Sequence, residues 1–145
     1  MAETTPIRDV QIALDCADPH AQARFWAAAL GYDVERHDAM IRQVLEAGHA
    51  TEDDVMEVDG ALAWKDAAAS SDPTGARPRW FFQRVPEPKA AKNRLHVDIR
   101  VGDEGRAAEV ARLTALGATK LYDGRLGPQT WVTMADPEGN EFCVT

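Results

Sequence analysis

Cysteine is scarce in this chain: Cys16 and Cys143 are the only two among 145 residues. They lie far apart in sequence and make neither a disulfide framework nor a metal-binding spacing, so a reducing, cytoplasmic setting is expected. Long apolar runs are also missing. No stretch approaches the roughly 20 residues of a membrane helix, which argues against a membrane partner. Met1 to Pro6 hold no basic run leading into an apolar one, and no signal peptide is expected. Basic residues are the minority, 16 Lys and Arg against 24 Asp and Glu, for a formal charge of −8. A nucleic-acid footprint needs a basic face, so nucleic acid is not an expected partner. Nucleophilic triads, a phosphate loop and a dinucleotide fingerprint are absent as well; Gly124 to Gly127 reads only as a turn.

What remains is an ordinary globular composition, 45% hydrophobic and 28% charged. A chain of this length buries about two-thirds of the surface it would expose unfolded, enough for one domain spanning 1–145 without staples. Val10–Cys16 alternates as a half-buried strand, with Gln11, Ala13 and Asp15 on one face. Asp18 then reads as a helix N-cap with Pro19 at the first helical position, and Gly31 as the residue that closes the helix. Tyr32–Glu35 is a short strand.

Residues 38–66 break the pattern. Asp38 opens a short helix with Met40, Ile41, Val44 and Leu45 at helical spacing. Thr51 to Asp54 resembles a capping box and is read as opening a second helix through Val55, Met56 and Val58. The segment is expected to be a helical flap, too short to bury a core of its own. Ala67–Ser71 is a weak strand, Asp72–Gly75 a turn, and Arg79–Val85 an aromatic-rich strand. Residues 86–93 form a linker.

The second half repeats the first. Arg94–Val101 alternates strictly, with His96, Asp98 and Arg100 on one face. Asp103 reads as the cap of a helix through Val110, Leu113 and Leu116 that Gly117 closes. Strands at Thr119–Tyr122, Trp131–Met134 and Glu141–Thr145 follow, and the Asp136–Gly139 turn echoes Asp72–Gly75. The expected fold class is α+β: two tandem β-α-β-β-β modules, 6–93 with the flap at 38–66 and 94–145, forming a cup-shaped, partly open barrel.

Three passages carry a family resemblance: Ile12–Pro19 (IALDCADP) followed by Arg24–Trp26 and Leu30–Tyr32; Phe82–Lys89 (FQRVPEPK) running into Lys92–Asp98 (KNRLHVD); and Ala135–Val144 (ADPEGNEFCV). With the repeated element order, they resemble the vicinal oxygen chelate superfamily of glyoxalases, bleomycin-resistance proteins and dioxygenases, most closely its glyoxalase-like domains. The resemblance implies that each module supplies half of an open barrel with the ligand inside. It also implies that metal-binding members place four ligands, commonly His and Glu, on the first and last strands of each module. The matching positions here are Gln11, Gln83, His96 and Cys143. Two amides, one imidazole and one thiol suit neither a hard ion nor common zinc geometry, so no metal and no other cofactor is expected. Asp98 and Glu141 fall on the same inward faces.

His96 is therefore the candidate catalytic base, since imidazole titrates near neutrality. Gln11, Gln83, His96, Asp98 and Cys143 are the candidate ligand-binding residues. Asp98 could orient the imidazole, hold a substrate amine, or pair with Arg94 or Arg100. Gln11 and Gln83 could bind ligand or each other. Cys143 lacks a basic setting and reads as an inert thiol. Trp80, Phe81 and Trp131 are core or pocket wall. His20, His37 and His49 are assigned to the surface or the flap. Two functions fit: a lyase or isomerase acting on a small carbonyl compound, or a non-catalytic protein that sequesters an antibiotic or other small molecule. A homodimer is expected, because sheet edges need covering; the cup is completed either within one chain or across two.

Overall fold

The computed structural model describes residue 1 and residues 4–145. Its elements come in the expected order twice. The first half holds β1 (Ile12–Cys16), α1 (Pro19–Leu30), β2 (Asp33–Val34), β5 (Ala67–Ser71) and β6 (Trp80–Arg84). The second holds β7 (Asp98–Ile99), α3 (Arg106–Leu116), β8 (Thr119–Leu126), β9 (Gln129–Ala135) and β10 (Glu141–Val144). Each half folds into its own four-stranded sheet, ordered β1-β6-β5-β2 and β7-β10-β9-β8, so the internal repeat extends to topology. In both, the first strand lies parallel to the last. The two sheets remain separate and do not close into a barrel.

Local chemistry explains α1. The Asp18 carboxylate accepts from the Ala21 N–H at 3.0 Å, Pro19 begins the helix, and Gly31 ends it. The strand expected at Arg94–Val101 is ladder-paired only at Asp98–Ile99. Its flanks still bond to the last strand, with Cys143 N–H donating to Val97 and Thr145 N–H to Ile99. The chain therefore runs extended past His96.

Three expectations need correction. The flap is helical only in α2 (Asp38–Glu46) and one 3-10 turn at Glu52–Asp54. Residues Val55–Val58 and Ala61–Trp64 form a hairpin, β3 and β4. The reason is the two-residue loop Asp59-Gly60, with φ of 50° and 76°. An Asp-Gly pair with both φ values positive suits the tight turn whose twist matches paired strands. The Thr51–Asp54 capping box does form, but it caps that single turn. Second, Asp103 does not cap α3. The helix begins at Arg106 with Gly105 as its cap, and the Asp103 carboxylate pairs with Arg106 instead. Third, Gly124 lies within β8, opposite Trp131, and not in a turn.

One core joins the halves. Trp26 of α1 stacks on Trp80 of β6 at 4.5 Å between ring centroids and meets Phe142 of β10 edge-on at 5.2 Å. Phe82, Leu113, Met134 and Val144 fill the rest. Because both sheets turn these faces inward, alternation sends Phe81 and Gln83 of one sheet, and Glu141 and Cys143 of the other, to the outer faces.

Polar contacts pin α1 against the second half. Asp136, 4% exposed, accepts from Gln22 Nε2 at 2.7 Å, Trp26 Nε1 at 3.1 Å, and the backbone N–H groups of Glu138 and Asn140 at 2.9 Å each. Glu138 receives the N–H groups of Ala17 and Asp18 at the start of the helix. Arg112 of α3 donates to the carbonyls of Ala28 and Ala29 at its end. Asp136→Ala strips the buried Gln22 amide and Trp26 indole of their acceptor. A loss of about 2–4 kcal/mol is expected. Urea denaturation checks it: an unchanged midpoint would show that these contacts do not tie the halves together.

Candidate functional site

The outer face of the second sheet gathers the chemistry. Register makes Cys143 the partner of both Asp98 and Thr133, and Thr133 the partner of Tyr122, so four side chains form one rank across the strands. His96 lies two residues before Asp98 on the same face. Its Nδ1 is 3.2 Å from Asp98 Oδ1, and Cys143 Sγ is 3.6 Å from Thr133 Oγ1. The donor atoms of His96, Asp98 and Cys143 all lie within 4.8 Å of one another. They line a trough of about 650 Å³ walled by Trp131, Tyr122 and Arg100. The Trp131 indole can lie across β8 because its cross-strand partner is Gly124: a Cβ there would fall 2.1 Å from the ring.

Electrostatics sorts these groups. Burial pushes the Cys143 thiol up, and the Asp98 carboxylate adds to the rise against a hydrogen bond from Thr133 that opposes it. At neutral pH it is a thiol. Cys16 is more inert still: burial, then the charges of Glu138 and Asp18, push it up to about 12. Burial works against ionisation of Glu141, yet the backbone N–H of Asn93 and the Lys89 ammonium hold its carboxyl below the usual range. Glu141 is thus tied down by Asn93 N at 2.9 Å and Lys89 Nζ at 3.2 Å. The His96–Asp98 pair stays open, with side chains 40% and 47% exposed.

Gln11 and Gln83 do not join this cluster within the chain. Every residue lining the trough falls between 92 and 145. Gln11 Oε1 accepts from Arg79 Nη1 at 2.8 Å on the first half's sheet, and Gln83 stands in register with Asp15 and Ala67. The amides do not pair with each other. The four positions that the resemblance implies as metal ligands therefore do not make a site in one chain, and the donor chemistry of two amides does not fit a catalytic ion.

A second cluster escaped the sequence reading. On the first sheet's outer face, Glu35 receives Arg79 in a two-point grip at 2.6 and 2.9 Å, His37 Nε2 at 2.9 Å, and the Ser71 hydroxyl. The Arg79 guanidinium also lies 5.7 Å from the Phe81 ring centroid. The pairing of β2 and β6 with β5 between them brings Glu35 to Arg79, and no local spacing announces it. His20 serves the fold too, bonding the Trp64 carbonyl at 2.7 Å.

The model of a glyoxalase-like domain family matches residues 11–145. No curated protein matches the chain in sequence. Several solved structures share the fold. One is a glyoxalase/bleomycin resistance protein/dioxygenase family enzyme from Burkholderia phytofirmans PsJN, with a TM-score of 0.61 and 12% identity over 92% of this chain and 94% of that one. Another is a variant of the fosfomycin resistance protein FosX from Listeria monocytogenes, complexed with Mn(II) and 1S,2S-dihydroxypropylphosphonic acid. It has a TM-score of 0.57 and 11% identity over 92% and 85% of the two chains. A third is a bleomycin-binding protein from Streptomyces verticillus complexed with copper(II)-bleomycin, with a TM-score of 0.55 and 16% identity over 98% of each chain.

The Glu35 cluster gives a pH signature. Hydrogen bonding by Arg79, outweighing burial and aided by Ser71 and His37, lowers the Glu35 carboxyl from 4.5 to about 2. A depressed carboxyl contributes stability that is fully present above its unfolded value and is lost as pH falls through its folded one. The urea midpoints of wild type and Glu35→Gln should therefore differ most above pH about 4.5 and converge toward pH about 2. A constant gap over that range would mean that the ion pair contributes nothing.

Proposed function

The chain belongs to the glyoxalase-like domain family, and from that premise we propose that it binds a small molecule over the outer face of the second sheet, with His96 as the central polar contact and proton acceptor. The observation that carries this reading is the His96–Asp98 pair, 3.2 Å apart and open to a trough of about 650 Å³. A carboxylate on one ring nitrogen fixes the tautomer and leaves the other free to take a proton. That arrangement suits a lyase or isomerase acting next to the carbonyl of a small compound. The neighbouring carboxylates are spoken for, Glu141 by Lys89 and Asn93 and Asp103 by Arg106, so they compete little for the ligand.

A second reading, sequestration without turnover, draws on a different observation. The trough has aromatic walls at Trp131 and Tyr122 beside the open His96–Asp98 pair. Aromatic walls hold a planar ligand well. The FosX structure with a dihydroxypropylphosphonic acid and the bleomycin-binding protein stand on these two sides, one named for resistance chemistry and the other for binding.

We further propose that the cup is closed by a second copy. The second half lines its trough alone, the first half's outer face carries Gln11, Phe81 and Gln83, and β1 and β7 are both free sheet edges. Val10 and Leu95 beside those edges are 61% and 82% exposed. Free edges and apolar side chains next to them favour pairing. A solution mass of two chains at micromolar concentration is expected from light scattering. A monomer there would leave the trough a one-walled surface and remove this part of the reading.

Ligand binding is checked by thermal shift over a library of small carbonyl compounds, phosphonates and planar drugs, run with chelator present. A ligand at 100 times its Kd adds about 2.7 kcal/mol to the folded state. His96→Ala should keep the parent melting temperature and lose the ligand shifts. Compounds that stabilise both proteins equally would bind elsewhere.

A further inference from the structure

We propose that the trough takes a planar carboxylate, with Arg100 on the carboxylate group and Trp131 under the aromatic or conjugated body. The inference rests on the reading that a small molecule binds the trough, and it names the class of that molecule. Gly124 is the positioning residue that gives Trp131 its place.

Gly124 makes room for the indole. A Cβ there would meet Trp131 Cε2, Nε1 and Cζ2 at 2.1, 2.2 and 2.5 Å, so the ring lies directly on the glycine. The backbone itself does not call for glycine at this point, since Gly124 is not among the glycines with positive φ. A glycine inside a strand weakens it and marks a close approach. What it permits here is a half-buried indole with one side on β8 and the rest lining the trough. A flat aromatic surface favours a flat ligand in offset stacking.

Arg100 stands in the same rank as that indole. Thr145 N–H donates to the Ile99 carbonyl at 2.8 Å and Val101 N–H to the Thr145 carbonyl at 2.7 Å, which sets Arg100 beside Thr145. Val144 is in register with Val132, so Trp131 flanks Thr145 on the other side. Two strand spacings, about 10 Å, separate Arg100 from Trp131, a gap that a guanidinium on its three-carbon stem bridges to a carboxylate on a stacked ring. The trough's own carboxylates are engaged, Asp98 by His96, Asp103 by Arg106 and Glu141 by Lys89. Among the described residues Arg100 has no carboxylate partner, so its donor fork is free for a ligand's. Asp98, two residues away, repels a second negative charge and so favours a carboxylate over a phosphonate. The formal charge of −8 does not keep such an ion away, because salt screens charges beyond about 8 Å. His96 lies four residues before Arg100, about 13 Å along an extended strand. A ligand that meets both therefore carries a body of bicyclic size between its carboxylate and its reacting end.

Isothermal titration calorimetry on the whole chain, with chelator present, tests this with four probes: 2-naphthoate, neutral 2-naphthamide, saturated decahydro-2-naphthoate and 2-naphthylphosphonate. 2-Naphthoate should bind at least tenfold more tightly than each of the others. Arg100→Gln should bring acid and amide to within about twofold. Lys92→Gln, which removes another trough cation without a carboxylate partner among the described residues, should keep the gap. Gly124→Ala should displace the indole and bring the planar and saturated acids together, with circular dichroism showing an unchanged fold. If that variant fails to fold, Trp131→Leu replaces it with the same expectation. Equal binding of acid and amide, a gap kept in Arg100→Gln or lost in Lys92→Gln, or tighter binding of the phosphonate would each overturn the class. So would a Gly124→Ala protein with a lower melting temperature and unchanged binding. Binding of no probe overturns it as well. The underlying reading is decided separately by the thermal-shift screen, and it falls only if no compound there gives a shift that His96→Ala removes.

Discussion

The Asp136 carboxylate sets how the two halves meet. It is a buried charge with no cation beside it, held entirely by neutral donors from α1 and from its own turn. Such a group is tolerated only where its acceptor capacity is filled. Here filling it requires Gln22 and Trp26 of the first half to approach the β9–β10 turn of the second. Glu138 and Arg112 then engage the two ends of the same helix, where free N–H and carbonyl groups need partners. Helix α1 packs on β5 and β6 of its own half and is thereby also tied to the second half at its start, middle and end.

That seating decides where function can sit. With α1 and the inner sheet faces committed to one core around Trp26, both outer faces are left to solvent. They differ in character. On the first sheet, Arg79 is held by Glu35 and Gln11, so its charge is spent on holding β2, β5 and β6 in place. On the second sheet, the rank containing Asp98 and Cys143 has His96 above it, and Asp98 is paired with that imidazole and, among the described residues, with no guanidinium, although Arg100 lines the same trough. Internal symmetry of backbone thus carries an asymmetry of chemistry, with a structural network on one outer face and a reactive cluster on the other.

Much of this was legible in the residues. The Asp18–Pro19 start, the repeated order and the strict alternation around His96 give the topology and the face that His96, Asp98 and Arg100 share, because each is a local rule; that this face turns away from the core, and not into a cup within the chain, is decided by how the two sheets pack. The misses have local and non-local causes. Asp59-Gly60 is a strong hairpin signal, but the preceding capping box also fits a helix start and competes with it. Asp103 stands at the right distance to cap a helix, but its carboxylate pairs with Arg106 and the helix starts two residues later, with Gly105 as its cap. The Glu35–Arg79 pair is 44 residues apart, and Gln11 becomes its acceptor only once β1 and β6 are side by side. No periodicity carries such information.

The amides at positions 11 and 83 gain a meaning from that arrangement. Read against a ligand pattern, they look like losses. In the fold, a carboxylate at position 11 would compete with Glu35 for Arg79 and place a second negative charge near it, while an amide oxygen accepts from the remaining Nη1 without disturbing the pair. The glutamine adds a third bond to the guanidinium without adding a charge. Once position 11 serves Arg79, it belongs to the first sheet's network and not to the trough of the second. Cys143 and Asp98, joined by strand register with His96 alongside, are where the described residues bring imidazole, carboxylate and thiol together.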